Sequence, residues 1–166
     1  MRSLLLFALL SLVPSASWAA DPEFSWEDDG TLRALVHFDA PISDVEKLLS
    51  DPVRSLGLST NVKAVTATPK GDCQQVFVTT TGISSAYSYT AIRCPTARGF
   101  KDELVSSDDY AIQESEWVLD AVEGGTRGVL RTRTKLTARV PKRFVKHSLK
   151  KSIERMLGAM QKVLSP

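Results

Sequence analysis

His37 and His147 are the only imidazoles in the chain. They form no HxxxH pair, and no carboxylate is placed by sequence to orient either ring, so neither reads as a metal ligand or a general base. No serine sits in a GxSxG elbow, no glycine loop could cradle a phosphate, and no two acids have a spacing that implies glycosidase or metal chemistry. Asp28-Asp29 and Asp108-Asp109 read as turn and strand-edge residues, whose short carboxylates bond nearby backbone. Cys73 and Cys94 lie beside neither histidine and outside any CxxC motif, which leaves redox and metal roles without support. The residues therefore name no catalytic group, no metal and no cofactor, and direct attention to surfaces that bind.

Those surfaces depend on where the chain works and how it folds. Arg2 supplies a positive charge, residues 4–13 form a short apolar run, and residues 14–20 are mostly small, the pattern of a cleavable secretion signal. A membrane-spanning helix needs about 20 apolar residues, and this run stops at Pro14. Ser17 and Ala19 are the small residues wanted before a cut, so the mature chain is expected to begin at Ala20, in a bacterial periplasm or outside the cell. The remaining 147 of 166 residues suit one domain around a single core, with no repeat and no low-complexity segment.

An oxidising compartment makes a disulfide the natural reading of two cysteines. Cys73–Thr81 and residues 86–94 read as strands joined by a turn over residues 82–85. Pairing Thr81 with Ala86 sets Cys73 opposite Cys94, within disulfide range, with two inert buried thiols as the alternative.

The elements follow from periodicity. Leu32–Phe38 is a strand, and Ala40-Pro41 leads into a short amphipathic helix carrying Ile42, Val45, Leu48 and Leu49. Asp51 as N-cap and Pro52 at the first helical position start a second short helix, with Val53, Leu56 and Leu58 as its apolar residues. Strands are expected over 62–68, 72–81, 86–93, 99–105, 111–122 and 128–139, with turns at 69–71, 94–96 and 123–125. Pro141 opens a closing helix whose stripe of Val145, Leu149, Ile153, Met156, Leu157, Met160, Val163 and Leu164 must be buried against the sheet.

This order resembles the helix-grip fold of the START, Bet v 1 and polyketide-cyclase (SRPBCC) superfamily. The resemblance spans nearly all of the mature chain. It is carried most specifically by Val36-His37-Phe38-Asp39-Ala40-Pro41-Ile42 with Val45 and Leu48, and by Leu136-Thr137-Ala138-Arg139-Val140-Pro141 before the last helix. It implies an α+β fold: a curved antiparallel sheet of about seven strands around one long C-terminal helix, two short helices after strand 1, and a cavity for lipids, sterols, quinones, polyketides or other apolar molecules. It brings no universal catalytic motif.

Alternation then selects the inward residues. Arg131, Arg133, Lys135 and Arg139 cannot cheaply face a dry cavity, so Thr132, Thr134, Leu136 and Ala138 point inward, as do Trp117, Leu119 and Ala121 beside outward Glu114 and Glu116. In the cysteine hairpin the Val76, Val78, Tyr87, Tyr89 and Ala91 face is assigned to the cavity. With Phe100 and the helix residues Leu149, Ile153, Met156 and Met160, these make a candidate ligand-binding lining; the alternative is a solidly packed core. Gly158 marks either a close approach or an exposed, neutral position.

Charge is divided along the chain. From Arg127 onward twelve Lys/Arg face only Glu154, while residues 20–126 carry eight basic and eighteen acidic side chains. Arg139, Lys142, Arg143, Lys146, Lys150 and Lys151, with His147 and Arg155, form a basic cluster on the last helix. It is either a solvated face or a docking surface for an anionic membrane. Export and the lack of interleaved aromatics argue against nucleic acid. Three functions remain in view: a monomeric carrier of an apolar small molecule or lipid, a polyketide or aromatic cyclase-like enzyme, and a partner-binding envelope protein with a filled core.

Overall fold

The structure is a computed structural model that describes residues 20–82 and 85–165. The expected secretion signal, residues 1–19, and the middle of the 82–85 turn lie outside the described residues. The elements run β1 (Glu23–Trp26), β2 (Leu32–Phe38), α1 (Ile42–Leu49), α2 (Pro52–Gly57), β3 (Val62–Lys70), β4 (Cys73–Thr81), β5 (Ala86–Thr96), β6 (Gly99–Ser106), β7 (Tyr110–Val122), β8 (Gly125–Leu136) and α3 (Lys142–Leu164). All eight strands form one antiparallel sheet in the order β1-β2-β8-β7-β6-β5-β4-β3. The pair α1 and α2 carries the chain from β2, near one edge, to β3 at the other.

Local chemistry accounts for most boundaries. Along β2 the residues Leu32, Ala34, Val36 and Phe38 are buried in strict alternation, which fixes its inner face. Thr126 donates its hydroxyl to the Ala40 carbonyl at 2.8 Å, and Gly125, at φ +150, passes so near that a Cβ there would collide with the Phe38 carbonyl. The chain is thereby turned at Ala40-Pro41 into α1. Asp51 caps α2 by accepting from the Arg54 amide at 3.0 Å, with Pro52 at its first position. Pro52 and Ser55 are its buried residues, and Val53, expected to pack, is 48% exposed. One strand was not expected: β1, four residues that pair with β2.

Two further boundaries differ from the sequence reading. Residues 94–96, expected to turn, continue β5, because past the β4 pairing that strand is bonded only to β6, and an edge position tolerates Pro95. In β8 the strand ends at Leu136 rather than at residue 139. Ala138 and Arg139 are consequently exposed in the connection to α3, and Ala121, at the far end of β7, is exposed too.

The hairpin β4–β5 has the expected register, from Thr81↔Ala86 to Gln74↔Arg93. One step further Cys73 and Cys94 are joined, with Sγ atoms 2.05 Å and Cα atoms 4.4 Å apart.

On the outer face, the divided charge is used for cross-strand pairing. Glu114↔Arg133, Glu116↔Arg131 and Asp120↔Arg127 are register partners on β7 and β8, with ion pairs at 2.7, 4.0 and 2.9 Å. Glu27 and Asp29, from the turn between β1 and β2, add partners for Arg131 and Arg133. The acidic segments thus neutralise the arginines of β8, and the uncompensated charge is left on α3.

Candidate functional site: a cavity between sheet and closing helix

Helix α3 crosses the sheet's inner face but fills only part of the space beneath it. At one end Phe38, Val45, Leu48, Trp117, Leu119, Leu130 and Met160 pack as a continuous core, with Phe100 and Ile153 against it. At the other end the sheet and the first turns of α3 enclose a cavity of about 860 Å3. Both alternatives left open by the sequence are therefore realised in one molecule: solid packing beneath α1, and a void toward the start of α3. The void far exceeds the roughly 300 Å3 at which small-molecule pockets begin.

The lining contains Val76, Val78, Tyr87, Tyr89, Trp117, Thr132, Thr134, Leu136, Leu149, Ile153, Met156 and Met160. Phe100 and Leu119 do not reach it. They lie on the inward faces of β6 and β7, but at the end that α1 closes, where they belong to the packed core. A Cβ added at Gly158 would meet no neighbour, so that glycine marks no close approach.

The void is apolar with a few ordered polar groups. The hydroxyls of Thr80 and Tyr110 are 3.0 Å apart, and the Tyr110 ring meets Tyr87 and Tyr89 edge-on, at 6.1 and 5.2 Å between centroids. Burial, together with the nearby charge of Asp102, pushes the Tyr89 phenol well above its ordinary value near 10. Burial likewise raises Tyr110, against the opposing effect of its bond with Thr80. Thr134 donates to Gln113 Oε1 at 2.8 Å.

Sequence reasoning missed the most buried charge in this wall. Arg93, 3% exposed, donates from Nε and Nη2 to the two carboxylate oxygens of Asp102 at 2.6 and 2.8 Å. Its Nη1 reaches the Leu49 carbonyl at 3.0 Å and Ser55 Oγ at 3.2 Å, and Ser115 Oγ donates to Asp102 at 2.8 Å. One side chain thus ties the junction of α1 and α2 to the middle of the sheet. Burial alone would lower the Arg93 pKa, but the charge and hydrogen bonds of Asp102 outweigh it and the value is raised. The signal was present in the alternation: Arg93 follows Tyr87, Tyr89 and Ala91 on the inward face, and Asp102 follows Phe100.

His37 also needs correction. Its Nε2 lies 3.2 Å from Asp39 Oδ1, because residues two apart on a strand share a face. Neither residue lines the cavity. Among the described residues no cluster of His, Cys, Asp and Glu could hold a metal ion.

The cavity opens between the chain leading into α3 and the connections at the sheet's end, where exposed Arg139, Pro141, Phe144 and His147 join the lining. Phe144 is 55% exposed. The six residues proposed from sequence to dock, Arg139, Lys142, Arg143, Lys146, Lys150 and Lys151, are all exposed, but they do not form one uniform face. Lys146 and Lys150 extend over the rings of Trp26 and Phe24, 4.6 and 5.4 Å from the centroids, and so help fasten β1 to α3. Arg139 is at the mouth, and Arg143 stands over the Phe144 ring at 4.9 Å.

A curved antiparallel sheet gripping a long C-terminal helix, with two short helices after its first long strand and a cavity between sheet and helix, is the helix-grip fold of START-like proteins. Solved structures with this fold include a START superfamily protein from Mycobacterium smegmatis, 14% identical, with a TM-score of 0.71 over 81% of this chain and 96% of that one. The STAR-related lipid transfer protein of Xanthomonas axonopodis is 14% identical, with a TM-score of 0.63 over 87% and 99%. The Zhui aromatase/cyclase of Streptomyces sp. R1128 is 16% identical, with a TM-score of 0.63 over 81% and 90%. No protein-family model matches the sequence, and no curated protein sequence matches it. At these identities the likeness defines the fold.

Proposed function

We propose that the mature chain is a monomeric, one-domain carrier that holds an apolar small molecule, a lipid, quinone or sterol-like compound, between its sheet and α3. The observation that carries this reading is the cavity itself: about 860 Å3, lined mainly by apolar and aromatic side chains and open at one end. Such a void is costly unless something fills it, because its lining atoms lack partners. Lipid-transfer and START proteins among the structures of this fold support the same reading. The cavity's titratable groups suit holding more than turnover. Tyr89 and Tyr110 bind their protons too tightly to act as bases near neutral pH, and the buried Arg93 guanidinium is already paired with Asp102.

The site of action is the periplasm. Residues 1–19 have the pattern of a cleaved signal, a disulfide is present, and among the described residues no helix is long and apolar enough to cross a membrane. Exposed Phe144 flanked by Arg139, Lys142 and Arg143 at the mouth suits transient docking on an anionic leaflet, through which a ligand would enter or leave.

The test is Thr134→Trp. Thr134 is half-buried in the cavity wall, and its hydroxyl makes one hydrogen bond, to Gln113. An indole there would project into the void and cost little more than that bond, about 1 kcal/mol. The variant should melt within about 4 °C of the wild type and lose binding of an environment-sensitive apolar dye. A wild-type domain that binds no such dye, together with a variant that loses roughly 3 kcal/mol through overpacking, would replace the carrier reading with that of a filled, partner-binding protein.

A further inference from the structure

Beside the mouth lies a second cleft of about 220 Å3, lined by Thr60, Asn61, His147, Ser148, Lys151, Ser152 and Arg155. It adjoins the large cavity, since Asn61, His147, Ser148 and Ser152 line both. Helical spacing explains its composition. Residues four apart stack along α3, so His147, Lys151 and Arg155 form one row and Ser148 and Ser152 another, toward the cavity.

The opposite wall is the connection between α2 and β3, and it is ordered by hydrogen bonds. Ser59 and Ser152 both donate to Asn61 Oδ1 at 2.6 Å, and Arg155 Nη1 approaches Thr60 Oγ1 at 3.5 Å. With its carbonyl oxygen occupied, Asn61 has only its amide N–H donors left to offer. Charge is also unbalanced here. The β8 residues Arg127, Arg131 and Arg133 each have a carboxylate within 4.0 Å, whereas among the described residues His147, Lys151 and Arg155 have none. The rim of an apolar cavity thus carries a pocket of hydrogen-bond donors with two unneutralised cations, Lys151 and Arg155.

We propose that this cleft binds the anionic head group, carboxylate or phosphate, of an amphiphile whose tail occupies the large cavity. Lys151 and Arg155 supply the charge, and the hydroxyls of Thr60 and Ser148 with the Asn61 side-chain amide supply neutral donors. The proposal rests on the carrier reading and narrows its ligand class: a neutral sterol or quinone would leave these groups unused. An amphiphile held at both ends also has its orientation set, tail toward Trp117 and head at the solvent edge.

The test compares four probes on the mature protein by displacement of an apolar dye or by calorimetry: oleate, oleoyl-lysophosphatidylglycerol, oleyl alcohol and inorganic phosphate. Oleate and the lysolipid should bind at least tenfold more tightly than the alcohol of the same chain. The Lys151→Gln/Arg155→Gln variant should remove that preference while leaving alcohol binding and melting temperature unchanged, since both side chains are exposed. Salt should weaken the anionic probes alone. Equal affinity for all three chains, or an anion preference that survives in the variant, would overturn the head-group assignment and leave the carrier reading intact. Inorganic phosphate binding as tightly as the lysolipid would instead define a free-anion site unconnected to the cavity, and also overturn the proposal. Failure of every chain-bearing probe would overturn both readings together.

Discussion

Asp102→Asn removes the charge that balances Arg93 while keeping the side chain's size. The Arg93 side chain is 3% exposed and that of Asp102 17% exposed, so this pair is not screened like one on the surface. Removing one partner of a buried ion pair costs about 3–5 kcal/mol, because the remaining charge stays desolvated. Two features favour the lower end. Arg93 keeps the Leu49 carbonyl and Ser55 Oγ as acceptors, and the pair borders a cavity that water can enter. The expected loss is therefore about 3 kcal/mol, or roughly 6–12 °C in melting temperature for a domain of this size. Urea unfolding followed by the fluorescence of buried Trp117 gives the value directly. Replacing both partners by apolar residues, Arg93→Met with Asp102→Leu, should recover at least half of it. A loss below about 1 kcal/mol for Asp102→Asn, the range of exposed pairs, would refute the view that this side chain ties α1 and α2 to the sheet through a desolvated charge.

Other consequences can be measured separately. Exported protein should show both cysteines protected from alkylation without reductant, and Cys73→Ala should cost about 3 kcal/mol from the loop that the bond closes, while dye binding persists; free thiols in exported protein would contradict this. Tyr89 and Tyr110 hold their protons more tightly when folded than unfolded, where they titrate near 10. Their contribution is whole below pH 10 and declines as pH rises above it, by up to about 1.4 kcal/mol per pH unit for each group. Urea midpoints should therefore fall between pH 10 and about 11.5, less so in Tyr89→Phe, and a flat profile would be the contrary result. The mature protein should sediment with vesicles rich in anionic lipid and be released by salt. Replacing Arg139, Lys142 and Arg143 by Gln should weaken that binding by about 1 kcal/mol per residue at most; equal sedimentation with neutral vesicles would contradict electrostatic docking.

The elements legible in the sequence were those whose signals are local. The alternation of β2, the Ala40-Pro41 turn, the Asp51-Pro52 cap and the period of α3 each lie within a few residues, and the short turn of the cysteine hairpin fixed its register. What escaped depended on partners far away in the chain. β1 has four residues of weak alternation, and its place is secured by pairing with β2 and by Lys146 and Lys150 over its aromatics. Alternation grouped Tyr87 with Tyr89 and Thr132 with Thr134, and all four line the cavity. It failed at Phe100 and Leu119, because an inward direction does not say whether α1 or a void lies above. Arg93 and Asp102 escaped for a related reason: a single charge on an inward face is unfavourable, and only the β5–β6 register sets the two opposite each other.

The carrier reading is tested most directly by native mass spectrometry of the mature protein purified under mild conditions from the envelope of cells that produce it. The account predicts a population heavier than the bare chain by one small amphiphilic molecule, released on denaturation and extracted into organic solvent. The Thr134→Trp variant, purified in parallel, should carry none. A wild-type protein found only at the mass of its bare chain, and unable to take up oleate when it is supplied, would contradict the account.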